Sequence, residues 1–112
     1  MTIVMTKKRK LAILRRMREL LGKRGGWIQG AYHNDEGGSC LLGAGSQAAS
    51  EVLGKHVTGG QFGVDLAPKI SLTEAAKKRG FSGLWQFNDS PKRKKKEVLA
   101  LLDDKIAELE KS

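Results

Sequence analysis

The residues of this sequence best suited to chemistry with another molecule are two runs of positive side chains. Lys7, Lys8, Arg9 and Lys10 are followed by Arg15, Arg16 and Arg18, and much later come Lys92, Arg93, Lys94, Lys95 and Lys96. Each run opens a segment of helical character, where positive charge is slightly unfavourable against the helix dipole, so helix propensity does not account for them. Side chains of this kind suit phosphates, because each contact releases condensed counterions. A formal net charge of +9 over 112 residues points to an anionic partner as well. The same residues would equally serve a solvated face that keeps the protein in solution, an acidic protein partner or membrane phosphates.

Aromatic side chains could add stacking on bases, and Trp27, Tyr32 and Trp85, with Phe87 beside them, are the candidates. Aromatics are only 5% of the chain, however, so each large ring is also wanted for filling the core. His33, Asp35, Cys40 and His56 form the remaining reactive set, and their spacing matches no metal-ligand pattern. Cys40 has two readings. It is a small buried hydrophobe at the start of a helix, or a thiol activated by that helix N-terminus and paired with His33 or His56, which would make the protein a cysteine-dependent enzyme. Gly43-Ala44-Gly45-Ser46-Gln47-Ala48 fits a loose dinucleotide fingerprint, but no strand precedes it and no room remains for the sheet it serves. Close helix packing explains the glycines better, and the residues imply no cofactor.

These candidates must be held by a small scaffold. The length suits one domain, 1–112, with 1–6 disordered, and the apolar residues are mostly aliphatic, which favours packing between helices. Leu11, Ile13, Leu14, Met17, Leu20 and Leu21 recur at helical spacing from Lys7 to Leu21, ahead of the glycines Gly22, Gly25 and Gly26. Trp27 to Asn34 has no such period and runs into the Asp35-Glu36-Gly37-Gly38 turn, predicting a short strand or two-stranded hairpin. Ser39 is placed to cap a helix from about Cys40 to Leu53, which Gly54 stops.

Residues 55–69, rich in glycine, read as a long loop. Ser71-Leu72-Thr73-Glu74 has the form of a capping box for a short helix to Arg79. A helical turn from Ser82 to Phe87 follows, and a last helix from near Pro91 or Lys94 to about Glu110 carries Val98, Leu99, Leu102, Ile106 and Leu109. The expected fold is mainly α, a compact bundle of about four helices with a small β-hairpin or short strand pair.

The single cysteine suits a reducing compartment, and no apolar stretch has the length of a signal peptide or membrane span. The expectation is a cytoplasmic protein that is neither secreted nor membrane-bound.

Gly26-Trp27-Ile28-Gln29-Gly30, Cys40-Leu41-Leu42-Gly43-Ala44, Phe87-Asn88-Asp89-Ser90-Pro91 and Val98-Leu99-Ala100-Leu101-Leu102 resemble, in order and spacing, an uncharacterised domain family of actinobacteria and their phages. Its pattern is Gly-Trp-x-x-Gly, Cys-x-x-Gly-Ala, Trp-Asn-Asp-x-Pro and then a Val-Leu-x-Leu-Leu helix. The likeness covers nearly all of the chain from the first helix onward. Phe87 stands where that family usually has Trp, and Lys94 where it tends to have a capping Thr. The resemblance implies a bacterial or phage setting, with the host cytoplasm as the location if phage-encoded, and no chemistry.

Taken together, the residues point to a small basic non-enzymatic accessory protein that binds nucleic acid or a nucleotide through its basic helix faces. The alternative is a phage-type interaction module that modulates a host or defence protein, as a homo-oligomer joined through the apolar stripes of its terminal helices.

Overall fold

The computed structural model describes residues 4–112. Of the segment expected to be disordered, residues 1–3 lie outside the described residues, while Thr6 is the N-cap of the first helix, its hydroxyl accepting from Arg9 N at 3.2 Å. That helix, α1 (Lys7–Gly22), lies against both α2 (Leu41–Leu53) and α6 (Lys95–Lys111). Its apolar positions explain the placement: Ile13, Leu14, Met17 and Leu21 are fully buried, meeting Leu41, Ala44, Ala48 and Ala49 from α2 and Val98, Leu101 and Leu102 from α6. Each such burial of a large aliphatic side chain stabilises by about 1.5–3 kcal/mol. The stripes of the terminal helices therefore form the core, with Leu11, Leu99, Ile106 and Leu109 left half-buried at its edge.

The sequence expects a loop over 55–69, but the structure forms helix over 59–66 of it. Thr58 and Gln61 close a capping box, Thr58 Oγ1 accepting from Gln61 N at 3.1 Å and Gln61 Oε1 from Thr58 N at 2.9 Å, at the head of α3 (Gly59–Gln61). The helix widens into a π-turn over Phe62–Leu66, with Ala67 N donating to Phe62 O. Burial of Val57, Phe62, Leu66, Ala67 and Ile70 holds the segment down. The glycines that suggested a loop are there for space: a Cβ on Gly59 would lie 2.8 Å from the Tyr32 ring, and one on Gly63 3.1 Å from Leu42.

Ser71 takes a left-handed φ of 61° and caps nothing with its side chain, so the expected capping box before α4 (Leu72–Lys78) is absent, and Glu74 pairs with Lys78 instead. A short α5 (Leu84–Asn88) follows.

The expected hairpin is also absent. Three stretches converge on Ser39: Ser39 N donates to Gly26 O and Ile28 N to Ser39 O on one side, while Asn34 N to Gly38 O and Cys40 N to Tyr32 O close the other. The result is two isolated bridges, Trp27 to Ser39 and His33 to Ser39, and among the described residues no strand. Gly30 (φ 81°) turns the chain after one bridged residue, so no ladder can propagate.

Candidate functional site

This irregular segment is held by side chains. Asn88, at the end of α5 and buried, accepts on Oδ1 from Trp27 Nε1 at 2.8 Å and from Leu41 N at 3.0 Å, and donates from Nδ2 to Ile28 O and Asp89 Oδ1. Gln29 Nε2 reaches Asn88 O and Ser90 O, and Gly30 N donates to Asp89 Oδ1. Three of the four short motifs that carry the family resemblance thus meet in one hydrogen-bonded knot: Trp27 to Gly30, the start of α2 at Cys40-Leu41, and Asn88 to Ser90. Trp27 is an anchor of this knot, its indole N–H donating to Asn88 Oδ1 and its ring partly buried against the core.

The knot floors a cleft of about 360 Å³ lined by Ala31, Tyr32, Cys40, Leu42, Trp85 and Asp89. Trp85 is 58% exposed and Tyr32 49% exposed, which is unusual for rings this large in so small a domain. Both are nevertheless fixed. Trp85 Nε1 donates to Asp89 Oδ2 at 2.8 Å, and Tyr32 lies against two glycines, since a Cβ on Gly43 would sit 2.0 Å from Tyr32 O and one on Gly59 would strike its ring.

Cys40 lies at the base of this cleft. It, and not Ser39, is the N-cap of α2, with Sγ accepting from Gly43 N at 3.4 Å. Ser39 Oγ instead pairs with His33 Nδ1 at 2.9 Å. Burial, and after it the Asp89 charge, pushes the Cys40 thiol up, away from the thiolate that nucleophilic chemistry needs.

The basic residues are not brought into one surface. α1 and α6 run antiparallel: Lys7 Nζ meets Ser112 O at one end, and Lys95 Nζ donates to Lys23 O at the other. A 16-residue helix is about 24 Å long, so the two runs face opposite ends of a molecule measuring 35 × 29 × 23 Å. The arginines between them are engaged: Arg15 with Glu110 at 2.6 Å, Arg16 with Glu51 at 2.8 Å and with Glu19, Arg18 with Asp103 at 2.9 Å. Arg93 is structural too. Its side chain is 11% exposed, it lies 3.9 Å from the Phe87 ring centroid, and it donates to Phe87 O. Phe87 is buried edge-on to Phe81.

Two cationic surfaces remain. Lys7, Lys8, Arg9 and Lys10 form one. Lys23 and Arg24 join Lys92, Lys94, Lys95 and Lys96 in the other, and among the described residues none of these ten makes an ion pair. Glu97, the acid within the second run, is occupied by Lys94 N at 2.8 Å and by Arg93. The turn at Asp35 and Glu36 lies on its flank, where Lys23 Nζ reaches Gly37.

Lys23 and Arg24 escape sequence reading because they sit in a glycine-rich helix stop. Asp89 escapes because Asn-Asp-Ser-Pro reads as a cap. Among the described residues no helix is long and apolar enough to cross a membrane.

The pattern of a family of unknown function (DUF6197) matches residues 5–108. No curated protein and no solved structure matches the chain.

Proposed function

The chain belongs to the DUF6197 family of unknown function, and from its own surface we propose that it is a nucleic-acid-binding accessory protein that grips phosphates with the cationic end built from Lys23, Arg24, Lys92, Lys94, Lys95 and Lys96. The observation that carries this reading is the Lys95 Nζ contact to Lys23 O at 2.6 Å, which draws together two basic stretches more than 70 positions apart in the chain without neutralising either. Like charges gathered on one end repel, and apart from Lys95, whose Nζ caps the Lys23 carbonyl at the end of α1, no packing or capping contact accounts for them. Phosphates would relieve that repulsion. The bacterial or phage setting implied by the sequence belongs to this reading, and so does binding without turnover, which the raised Cys40 thiol favours.

Fluorescence anisotropy of a labelled oligonucleotide tests it. With four to six phosphates neutralised, affinity should fall on the order of 100- to 1,000-fold between about 50 and about 200 mM salt. A Lys23→Glu, Lys95→Glu, Lys96→Glu triple variant should remove most of the binding. Salt-insensitive association, or the same affinity in the triple variant, would refute the proposal.

A further inference from the structure

Trp85 and Tyr32 are the large aromatic rings left open to solvent, and the cleft between them is walled by the carboxylate of Asp89. Two independent devices keep the rings in place while leaving them open to solvent. The Trp85 indole N–H is fixed on Asp89 Oδ2, and Gly43 and Gly59, from two different elements, make the room in which Tyr32 lies. Rings held this way lose little conformational freedom on stacking a ligand.

Asp89 is oriented as well. Its Oδ1 accepts from Gly30 N at 3.1 Å and Asn88 Nδ2 at 2.8 Å, and its Oδ2 from Trp85 Nε1. A carboxylate offers about four lone-pair directions. Three are taken inside the protein, and the fourth, on Oδ2, is left for a donor in the cleft.

A planar group that stacks on indole or phenol and carries an N–H donor would meet all of these features. Two chemical classes have that form, a guanidinium-like cation and a nucleobase. The charge of the molecule decides between them: a free cation must approach a protein of net charge +9, whereas a neutral base attached to a phosphate is drawn in. The chain itself links the two surfaces. Lys92 follows Asp89 by three residues, so its Cα lies within about 11 Å of the Asp89 Cα. Gln29 pins the first part of that span through Ser90 O at 3.0 Å.

We infer that the Trp85–Tyr32 cleft is a base-binding site, taking a single unpaired nucleobase that stacks on these rings and donates an N–H to Asp89 Oδ2, while the attached phosphates lie toward Lys92. The inference rests on the proposed phosphate grip and adds to it a preference for single strands, since a paired base is not free to leave its stack.

The test titrates three labelled probes of equal length: a natural single strand, an abasic single strand and a duplex. The natural strand should bind roughly 5- to 150-fold tighter than the abasic one, the range that base–aromatic stacking supplies. It should also quench the intrinsic fluorescence, and Trp85→Ala should remove both the quenching and the preference while leaving salt-dependent binding of the abasic strand unchanged. Trp85 is largely exposed, so the variant should fold; Trp85→Phe, which keeps a stacking ring, should retain most of the preference. Equal binding of natural and abasic strands, unaltered by Trp85→Ala, would overturn the inference and leave the phosphate grip standing. No binding of any probe at low salt would overturn both.

Discussion

The Asn88 knot and the cationic end around Lys95 are built on opposite terms. In the knot every polar atom of the Asn88 side chain has a partner, and among the described residues no buried side-chain nitrogen or oxygen is left without one. At the cationic end six side chains of one sign are gathered with no ion pair among the described residues. The first is a self-sufficient assembly that a folded chain requires. The second is unfinished by the chain's own atoms, and that makes it the place to look for a partner. The cleft lies at the border, its floor made by the knot and its rings left open.

The comparison is broken most forcefully at Asn88. Asn88→Leu would remove the acceptor for Leu41 N and Trp27 Nε1 together and leave the Ile28 carbonyl without its donor. Stranding buried polar groups costs about 1–3 kcal/mol each, so a loss on the order of 3 kcal/mol is expected in urea unfolding. A loss below about 0.5 kcal/mol, the size of an ordinary surface change, would show that the knot is decoration. Next comes Gly45→Ala, whose Cβ would lie 2.1 Å from Phe62 Cε2. Overpacking of this kind costs about 1–3 kcal/mol, and the unfolding midpoint in urea should fall with the slope unchanged.

Much of this architecture is legible in the sequence, and the exceptions have physical causes. The long helices are announced by Leu11 to Leu21 and Val98 to Leu109 at helical spacing, and Gly54 ends α2 in a left-handed conformation as a stop should. Thr58-Gly-Gly-Gln61 carries a capping box as plain as the one at Ser71, yet the glycines outweigh it on reading, because the reason for Gly59 is the Tyr32 ring, remote in sequence. The box at Ser71 fails because Ser71 closes the preceding turn: Ser71 N donates to Pro68 O and Leu72 N to Ala67 O, a closure that places Ser71 at positive φ.

Of the site residues, Lys94, Lys95 and Lys96 are visible as a run, but their joining to Lys23 and Arg24 depends on antiparallel packing that no local pattern encodes. That same packing separates them from Lys7 to Lys10. The indole of Trp85 is a candidate from its type alone; both indoles are held by an N–H bond, and that Trp85 stands open while Trp27 packs against the core depends on the tertiary fold.

A smaller effect is expected where the surface does pair its charges. The Arg16 guanidinium, with Gln47, holds the Glu51 carboxyl below the usual glutamate range. A carboxyl lowered on folding adds stability above its unfolded pKa, and that contribution is lost as pH falls through the folded value. Glu51→Gln should therefore cost under about 1 kcal/mol at neutral pH, since both partners are open to solvent, at 34% and 44% exposure. Its difference from the parent should close as unfolding is followed down to about pH 2. A difference that persists in acid would mean that Glu51 acts through packing.

The smallest effect on stability belongs to the cationic end, and there the comparison becomes sharpest. Lys94, Lys95 and Lys96 have no acidic partner among the described residues, so Lys96→Glu should alter unfolding free energy by no more than about 0.5 kcal/mol. Its sign should favour the variant at low salt, where relief of repulsion is least screened, and the gain should shrink as salt is raised through about 0.15 M. The same substitution should weaken oligonucleotide binding, with a lower salt slope, by removing one phosphate contact. Stability and binding would then move in opposite directions at one residue. A residue maintained for solubility or folding would not separate them: if Lys96→Glu lowered stability at low salt and left binding unchanged, the charge would belong to the fold, and the division between a finished knot and an unfinished surface would be misplaced at Lys96.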